Sequence, residues 1–182
     1  MIRIKYASIR SMDISNGEGV GIALFVQGCD FHCKGCFNSE TWDFDGGKDW
    51  DIAKGRVFFD LANRTYVTRI SILGGEPLHD KNILAVGDLC VKLKENFPEK
   101  KIWLYTGYTL EDIKNDDKVT LDELNIFKVS RFNLLRYIDV LVDGQYVESL
   151  KDITYPWAGS TNQRVINVQE TLKQQKTVLY NG

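Results

Sequence analysis

The sequence has no long hydrophobic run. Its longest uninterrupted apolar stretch is Ile22 to Val26, far short of the ~18 residues that a membrane span requires. It has no excess of one charge either: 23 Lys and Arg stand against 25 Asp and Glu, for a formal net charge of -2. That excludes the electrostatic footprint of a nucleic-acid coat and leaves no block of like charges to act as a tail, so neither nucleic acid nor a membrane is expected as a partner. The opening residues Met1-Ile2-Arg3-Ile4-Lys5-Tyr6 lack the apolar region and small-residue cleavage site of a secretory signal, and the expected location is cytoplasmic. Cysteine is scarce. Of four, Cys29, Cys33 and Cys36 fall close together, while Cys90 lies far away in a helix-like pattern. Spacing that tight, with no export signal, favours a metal over disulfides.

What is present fits one globular domain over residues 1–182, 43% hydrophobic and 26% charged. Apolar runs bounded by turn residues alternate with helical patterns, the rhythm of βα units around a parallel sheet. Four runs read as buried strands: Gly21 to Gln27, Arg69 to Leu73, Lys101 to Tyr105 and Tyr137 to Val142. Each ends at a glycine-containing turn. Asp51 to Arg64 reads as a helix with Val57, Phe58, Leu61 and Ala62 on one face. A second begins at an Asp80 N-cap, carries Ile83, Val86, Leu89, Cys90 and Leu93, and is closed by Pro98. Leu121 to Arg136 reads as a third helix, Arg164 to Val168 as a fifth strand, and residues 169–182 as a weakly specified polar tail.

Sites in parallel α/β folds gather at the carboxyl ends of the strands. Here those ends carry Cys29, Gly74-Gly75-Glu76-Pro77, Thr106-Gly107-Tyr108 and Asp143-Gly144. The cysteines, C-x3-C-x2-C, offer soft thiolates suited to zinc or to an iron–sulfur cluster. Zinc would want a fourth ligand, for which His32 is the nearby residue. A cubane on three cysteines keeps one iron open for a ligand. A zinc knuckle and buried thiols without metal are the alternatives.

A C-x3-C-x2-C loop directly after the first of these strands, with a Gly-Gly-Glu-Pro turn after the second, resembles the radical S-adenosylmethionine superfamily. The resemblance implies one [4Fe-4S] cluster on Cys29, Cys33 and Cys36. It also implies S-adenosylmethionine chelated to the open iron and cleaved by one electron, so that a 5′-deoxyadenosyl radical abstracts hydrogen. No side chain of the chain is then itself catalytic, since cluster and cofactor carry the chemistry. By the same resemblance Gly74, Gly75 and Glu76 receive the methionyl ammonium, and Gly35, Cys36 and Phe37 border the adenine with Asn38 nearby; Asp143, at the end of a strand that faces the site, is expected as a further cofactor contact. An aromatic stands after the third cysteine, at Phe37, where many members have one before it.

Further stretches narrow the resemblance: Asn16-Gly17-Glu18-Gly19, Cys36-Phe37-Asn38-Ser39-Glu40-Thr41-Trp42, Thr106-Gly107-Tyr108, Val142-Asp143-Gly144 and Gly159-Ser160-Thr161-Asn162-Gln163. In this order they are similar to the activating proteins of anaerobic (class III) ribonucleoside-triphosphate reductase. That similarity implies the reductase large subunit as protein substrate, a glycyl radical as product, and an external one-electron donor such as flavodoxin. The alternatives are an activase of another glycyl-radical enzyme such as pyruvate formate-lyase, or a non-catalytic zinc or cluster module. A chain of 182 residues cannot complete an eight-unit barrel of ~250 residues. The expected fold is therefore α/β, an incomplete (open) parallel β/α barrel of the radical S-adenosylmethionine type. Among the remaining residues, Cys90 reads as a small buried hydrophobe and Trp103 as core, while Asp143-Gly144 also has the plain reading of a turn.

Overall fold

Strand residues alternate between two faces, and in this chain both faces are apolar, so the central strands are covered on both sides. The computed structural model describes residues 4–116, 120–121 and 128–182. In chain order its elements are β1 (Lys5–Asp13), β2 (Gly21–Val26), β3 (Lys48–Asp49), α1 (Ile52–Ala62), β4 (Arg69–Gly74), α2 (Ile83–Asn96), β5 (Lys101–Tyr105), α3 (Leu110–Asn115), β6 (Thr120–Leu121), β7 (Lys128–Val129), α4 (Arg131–Leu134), β8 (Val140–Asp143), β9 (Arg164–Asn167) and α5 (Val168–Gln174). One seven-stranded sheet runs β3-β1-β2-β4-β5-β8-β9. Its four central strands, β2, β4, β5 and β8, are mutually parallel, as the βα rhythm predicts.

The sheet is mixed rather than purely parallel. β1 pairs antiparallel with β2, and β9 antiparallel with β8. β1 combines Lys5, Ser8 and Arg10 with inward Tyr6 and Ile9, a polar alternation suited to an antiparallel strand with one wet side. β9 is antiparallel because the segment from Gly144 to Gln163 contains one 3-10 turn and no crossover helix, and a parallel return requires a crossover.

Ile22, Leu24 and Val26 of β2, Ile70 and Ile72 of β4, Ile102 and Leu104 of β5, and Leu141 of β8 join Phe58 of α1 and Val86, Cys90 and Leu93 of α2 in the main core. Each such fully buried aliphatic side chain contributes roughly 1.5–3 kcal/mol. The alternate residues face the other way. Ala23, Phe25 and Leu73 form one cluster there, and Trp103, Val140, Val142 and Val165 another, with Tyr105 packed against both. Below this second face lies the buried Arg69. Its guanidinium donates to Asp13 Oδ1 at 2.8 Å, to the Asp13 carbonyl at 2.9 Å, to Ser71 Oγ at 2.6 Å and to the Glu18 carbonyl at 3.1 Å. Gly21 leaves room for it, since a Cβ there would stand 2.5 Å from Arg69 Cγ.

Several expectations are corrected. The helix foreseen over 121–136 is instead the β6–β7 antiparallel pair followed by α4, with residues 122–127 outside the described residues. Ser130 Oγ accepts the Asn133 amide and so starts the helix there. Asp80 does not cap α2, which begins after Asn82. Its carboxylate takes the Arg131 guanidinium at 2.8 Å instead. On α1, Phe58 and Ala62 are buried while Val57 is exposed. The residues beyond 168 are specified: α5 is capped by Asn167, and Tyr180 donates its amide to the Val165 carbonyl while packing edge-on against Trp103 and Trp157. Those late aromatic contacts supply what the polar composition conceals.

Candidate active site

Four chain segments meet where the parallel strands end. After β2 the chain turns at Gly28, at φ 98°, a left-handed value that glycine adopts without strain. A Cβ there would also strike the Phe44 ring at 2.0 Å. The amides of Gly28 and Cys29 then donate to the carbonyls of Thr41 and Trp42, so the end of the cysteine loop is stitched to its beginning. After β4, Gly74 turns at φ 105°, and the Gly75 amide donates to the Val26 carbonyl and the Glu76 amide to the Gly28 carbonyl. The two turns lie so close that a Cβ on Gly75 would come 2.4 Å from Gly28 O. Asn82 locks them together. Buried, it donates its Nδ2 to the carbonyls of Gln27 at 3.0 Å, Gly28 at 3.4 Å and Glu76 at 2.9 Å.

Glu76 is buried and reaches across to the end of β5. Its Oε1 accepts the Leu78 amide and the Thr106 hydroxyl, each at 2.8 Å, and its Oε2 accepts the Gly107 amide at 2.8 Å. Burial pushes its carboxyl up to about 7 in spite of those donors. Gly107 in turn lies against Phe31 of the cysteine loop, whose ring meets Tyr108 edge-on at 5.0 Å. The Thr-Gly-Tyr run thus braces both the glycine turn and the cluster loop.

These segments wall a cavity of about 640 Å³. Cys29, Cys33, Cys36, Phe37, Asn38, Gly74, Gly75 and Glu76 all line it. The three thiols are half-buried and free of disulfides. Burial raises Cys29 to about 11 and also raises Cys33, so each thiol alone is held neutral, a preference that a bound metal centre inverts. Among the described residues no three Cys, His, Asp or Glu side chains close around a single ion. Three soft thiolate donors on one cavity suit an iron–sulfur cubane with an open iron. His32 stacks on Trp42 at 4.6 Å. Phe37 is exposed and meets Tyr146 edge-on at 5.2 Å, with the Lys151 ammonium over its ring.

Two expected site residues lie elsewhere. Gly35 is outside the cavity lining: it turns the loop at φ 73° against Glu148. Asp143 faces a neighbouring depression, and its carboxylate is consumed by the Leu110 amide at 2.7 Å and the Arg164 guanidinium. Cys90 is fully buried in the main core, its thiol raised to about 12 by burial, away from the other three.

The opposite lip carries residues that sequence patterns did not single out as site residues: Arg10, Ser15 and Asn16 on one side, and Asp152, Ile153, Tyr155 and Trp157 to Gly159 on the other. Gln163 shapes the second lip, its Oε1 accepting the Gly159 and Ser160 amides and its Nε2 donating to the Gly144 carbonyl. The Gly-Ser-x-Asn-Gln run was the available signal for it.

A family model described as a 4Fe-4S single cluster domain matches residues 15–166. The anaerobic ribonucleoside-triphosphate reductase-activating protein of Vibrio cholerae is 35% identical over 88% of this chain and 96% of its own length. That of Enterobacteria phage T4 is 33% identical over 89% of this chain and 93% of its own, and that of Escherichia coli 36% identical over 89% and 97%. The chain belongs to this family of reductase-activating, single-cluster proteins. The family consists of oxidoreductase enzymes, and the matched region takes in all three clustered cysteines, the glycine turn, Thr106-Gly107 and most of the second lip. Among solved structures, QueE from Escherichia coli aligns with 60% of this chain at a TM-score of 0.44 and 17% identity. Among the described residues no helix is long and apolar enough to cross a membrane.

Proposed function

We propose that this chain, a single domain over residues 1–182, generates the glycyl radical of an anaerobic ribonucleoside-triphosphate reductase by reductive cleavage of S-adenosylmethionine at one [4Fe-4S] cluster on Cys29, Cys33 and Cys36. The observation that carries the reading is the convergence of those three thiols with the Gly74-Gly75-Glu76 turn and Thr106-Gly107 on one open cavity, in a member of the activating-protein family. When bound, the cluster would supply the electron for cleaving a carbon–sulfur bond of S-adenosylmethionine, the chemistry by which hydrogen would be removed from a glycine of the reductase.

The chain's own residues bind, orient and exclude water. Cys29, Cys33 and Cys36 hold the cluster. The backbone of Gly74 and Gly75 meets the methionyl ammonium, because glycine permits close approach. Glu76 fixes that turn through the Leu78 and Gly107 amides and the Thr106 hydroxyl and sets negative charge beneath the ammonium. Phe37 and Asn38 border the adenine. The seven-stranded sheet, whose end strands β3 and β9 do not pair with each other, acts as an open barrel, and the inserted reductase loop closes it, which shields the radical from water. A small cytoplasmic electron carrier such as flavodoxin reduces the cluster.

The test is anaerobic incubation of reconstituted protein with S-adenosylmethionine, a one-electron reductant and the reductase of the same organism. A glycyl doublet by electron paramagnetic resonance is expected, with 5′-deoxyadenosine formed in step. No doublet despite an intact cluster, or efficient turnover on a small molecule without the reductase, would overturn the reading.

A further inference from the structure

We infer that Arg10 is the residue that positions the reductase's inserted loop, by gripping a carboxylate of that loop; the inference rests on the function proposed above. In β1, Arg10 pairs with Ala23 of β2, a small neighbour on the cavity face. The guanidinium therefore lies over the Phe25 ring, 4.7 Å from its centroid, half-exposed and in the cavity wall. A guanidinium held over an aromatic ring by cation–π attraction still has N–H donors to offer a carboxylate.

The charge around it is unbalanced. Among the described residues its one ion pair is a long 3.4 Å contact to Asp13 Oδ2. That oxygen already accepts Asn16 Nδ2 at 2.7 Å, while Asp13 Oδ1 holds the buried Arg69 at 2.8 Å. Burial alone would raise Asp13, but the hydrogen bonds from Arg69 and Asn16 outweigh it and keep the carboxylate ionised. Two guanidinium groups thus share one carboxylate, a net charge of one positive. The Tyr105 hydroxyl, buried in the same wall with no hydrogen-bond partner among the described residues, adds a donor and no counter-charge. Among the described residues the other carboxyl groups of the wall make no ion pair with Arg10: Glu76 is bound to the strand ends, and Asp152 accepts the Thr154 amide and hydroxyl.

Position decides which ligand the cation meets. Ala23 precedes Val26, the end of β2, by three residues, about 10 Å of strand, and the cysteines begin beyond that end. Arg10 therefore faces the part of the cavity below the cluster loop, which the entering peptide fills.

The experiment uses reconstituted full-length protein and the intact reductase large subunit, reading binding of the two proteins and, separately, glycyl radical yield against reductase concentration. Arg10→Gln should weaken binding and raise the half-saturating reductase concentration at least tenfold, with the plateau and the affinity for S-adenosylmethionine retained. Arg10→Lys, which keeps the charge and loses the planar fork, should recover only part of the loss. Replacing the responsible Asp or Glu of the reductase loop by its amide should reproduce the defect and add nothing to Arg10→Gln. Unchanged binding and half-saturation in Arg10→Gln, or a selective loss of S-adenosylmethionine affinity, would overturn the inference. If the wild type binds the reductase in an Arg10-dependent way yet forms no radical, the proposed reaction fails while the role of Arg10 stands.

Discussion

Replacing Asn82 by alanine isolates what holds the cysteine loop and the glycine turn in one piece. The Asn82 amide nitrogen makes two bonds of good length, 3.0 Å to Gln27 O and 2.9 Å to Glu76 O, and a weaker one of 3.4 Å to Gly28 O. A buried hydrogen bond contributes ~1 kcal/mol net, and a buried carbonyl left without a donor costs ~1–3 kcal/mol. Gly28 O keeps the Glu76 amide and Glu76 O keeps the His79 amide, so the Gln27 carbonyl is the group left exposed to that penalty. The expected loss is ~2–4 kcal/mol. For a chain of this size, at ~2–4 °C per kcal/mol, the melting temperature should fall by roughly 5–15 °C. Asn82→Asp makes the argument sharper: nearly the same volume at neutral pH, but a carboxylate facing three carbonyl oxygens, and so at least as destabilising as alanine. Thermal melts of the metal-free protein by circular dichroism measure both variants, and iron retained after reconstitution reports the loop. A loss under ~1 kcal/mol for Asn82→Ala, or wild-type stability for Asn82→Asp at pH 7, would refute the assignment of Asn82 as the lock.

Other consequences are as direct. Alanine at Cys29, Cys33 or Cys36 should each abolish the cluster seen by absorbance and iron content, while Cys90→Ala should keep it and lose only stability, because Cys90 is fully buried in the core. Gly75→Val should lower cluster retention as well as S-adenosylmethionine affinity, since its Cβ would meet Gly28 O at 2.4 Å and push on the residue before Cys29; an unchanged cluster spectrum would sink that expectation. Glu76 rises from 4.5 to about 7 on folding, so its contribution is complete below pH 4.5 and is lost as pH climbs through 7, by roughly 3 kcal/mol. Denaturant titrations across that range should show this slope, and Glu76→Gln should remove it.

The parallel strands were legible because a buried strand must be apolar on both faces and must stop at a turn, which Gly28, Gly74 and Gly144 mark with their left-handed backbone. The cysteine loop was legible because metal ligation needs particular atoms at short spacing. β1 was not legible: its alternation of Lys, Ser and Arg with apolar residues becomes a strand only when β2 supplies the hydrogen bonds. Nor was the order of residues 169–182, whose polar composition conceals contacts made by Tyr180 to Trp103 and Trp157. Asp143 shows the same division inside the site. Its place after a strand predicts a cofactor contact, yet Arg164, which follows in β9, claims its carboxylate.

What the sequence alone determined is therefore the chemistry: three thiolates, a glycine turn, and the strands that bring them to one edge. All of these depend on residue type and local spacing. Only the tertiary structure decided how the pieces are locked and what faces the cavity: Asn82 across two turns, Glu76 bound to Thr106 and Gly107, and Arg10 over Phe25. Those contacts join positions far apart in the chain, and no local pattern encodes which distant partner a polar side chain will meet once the sheet has closed around it.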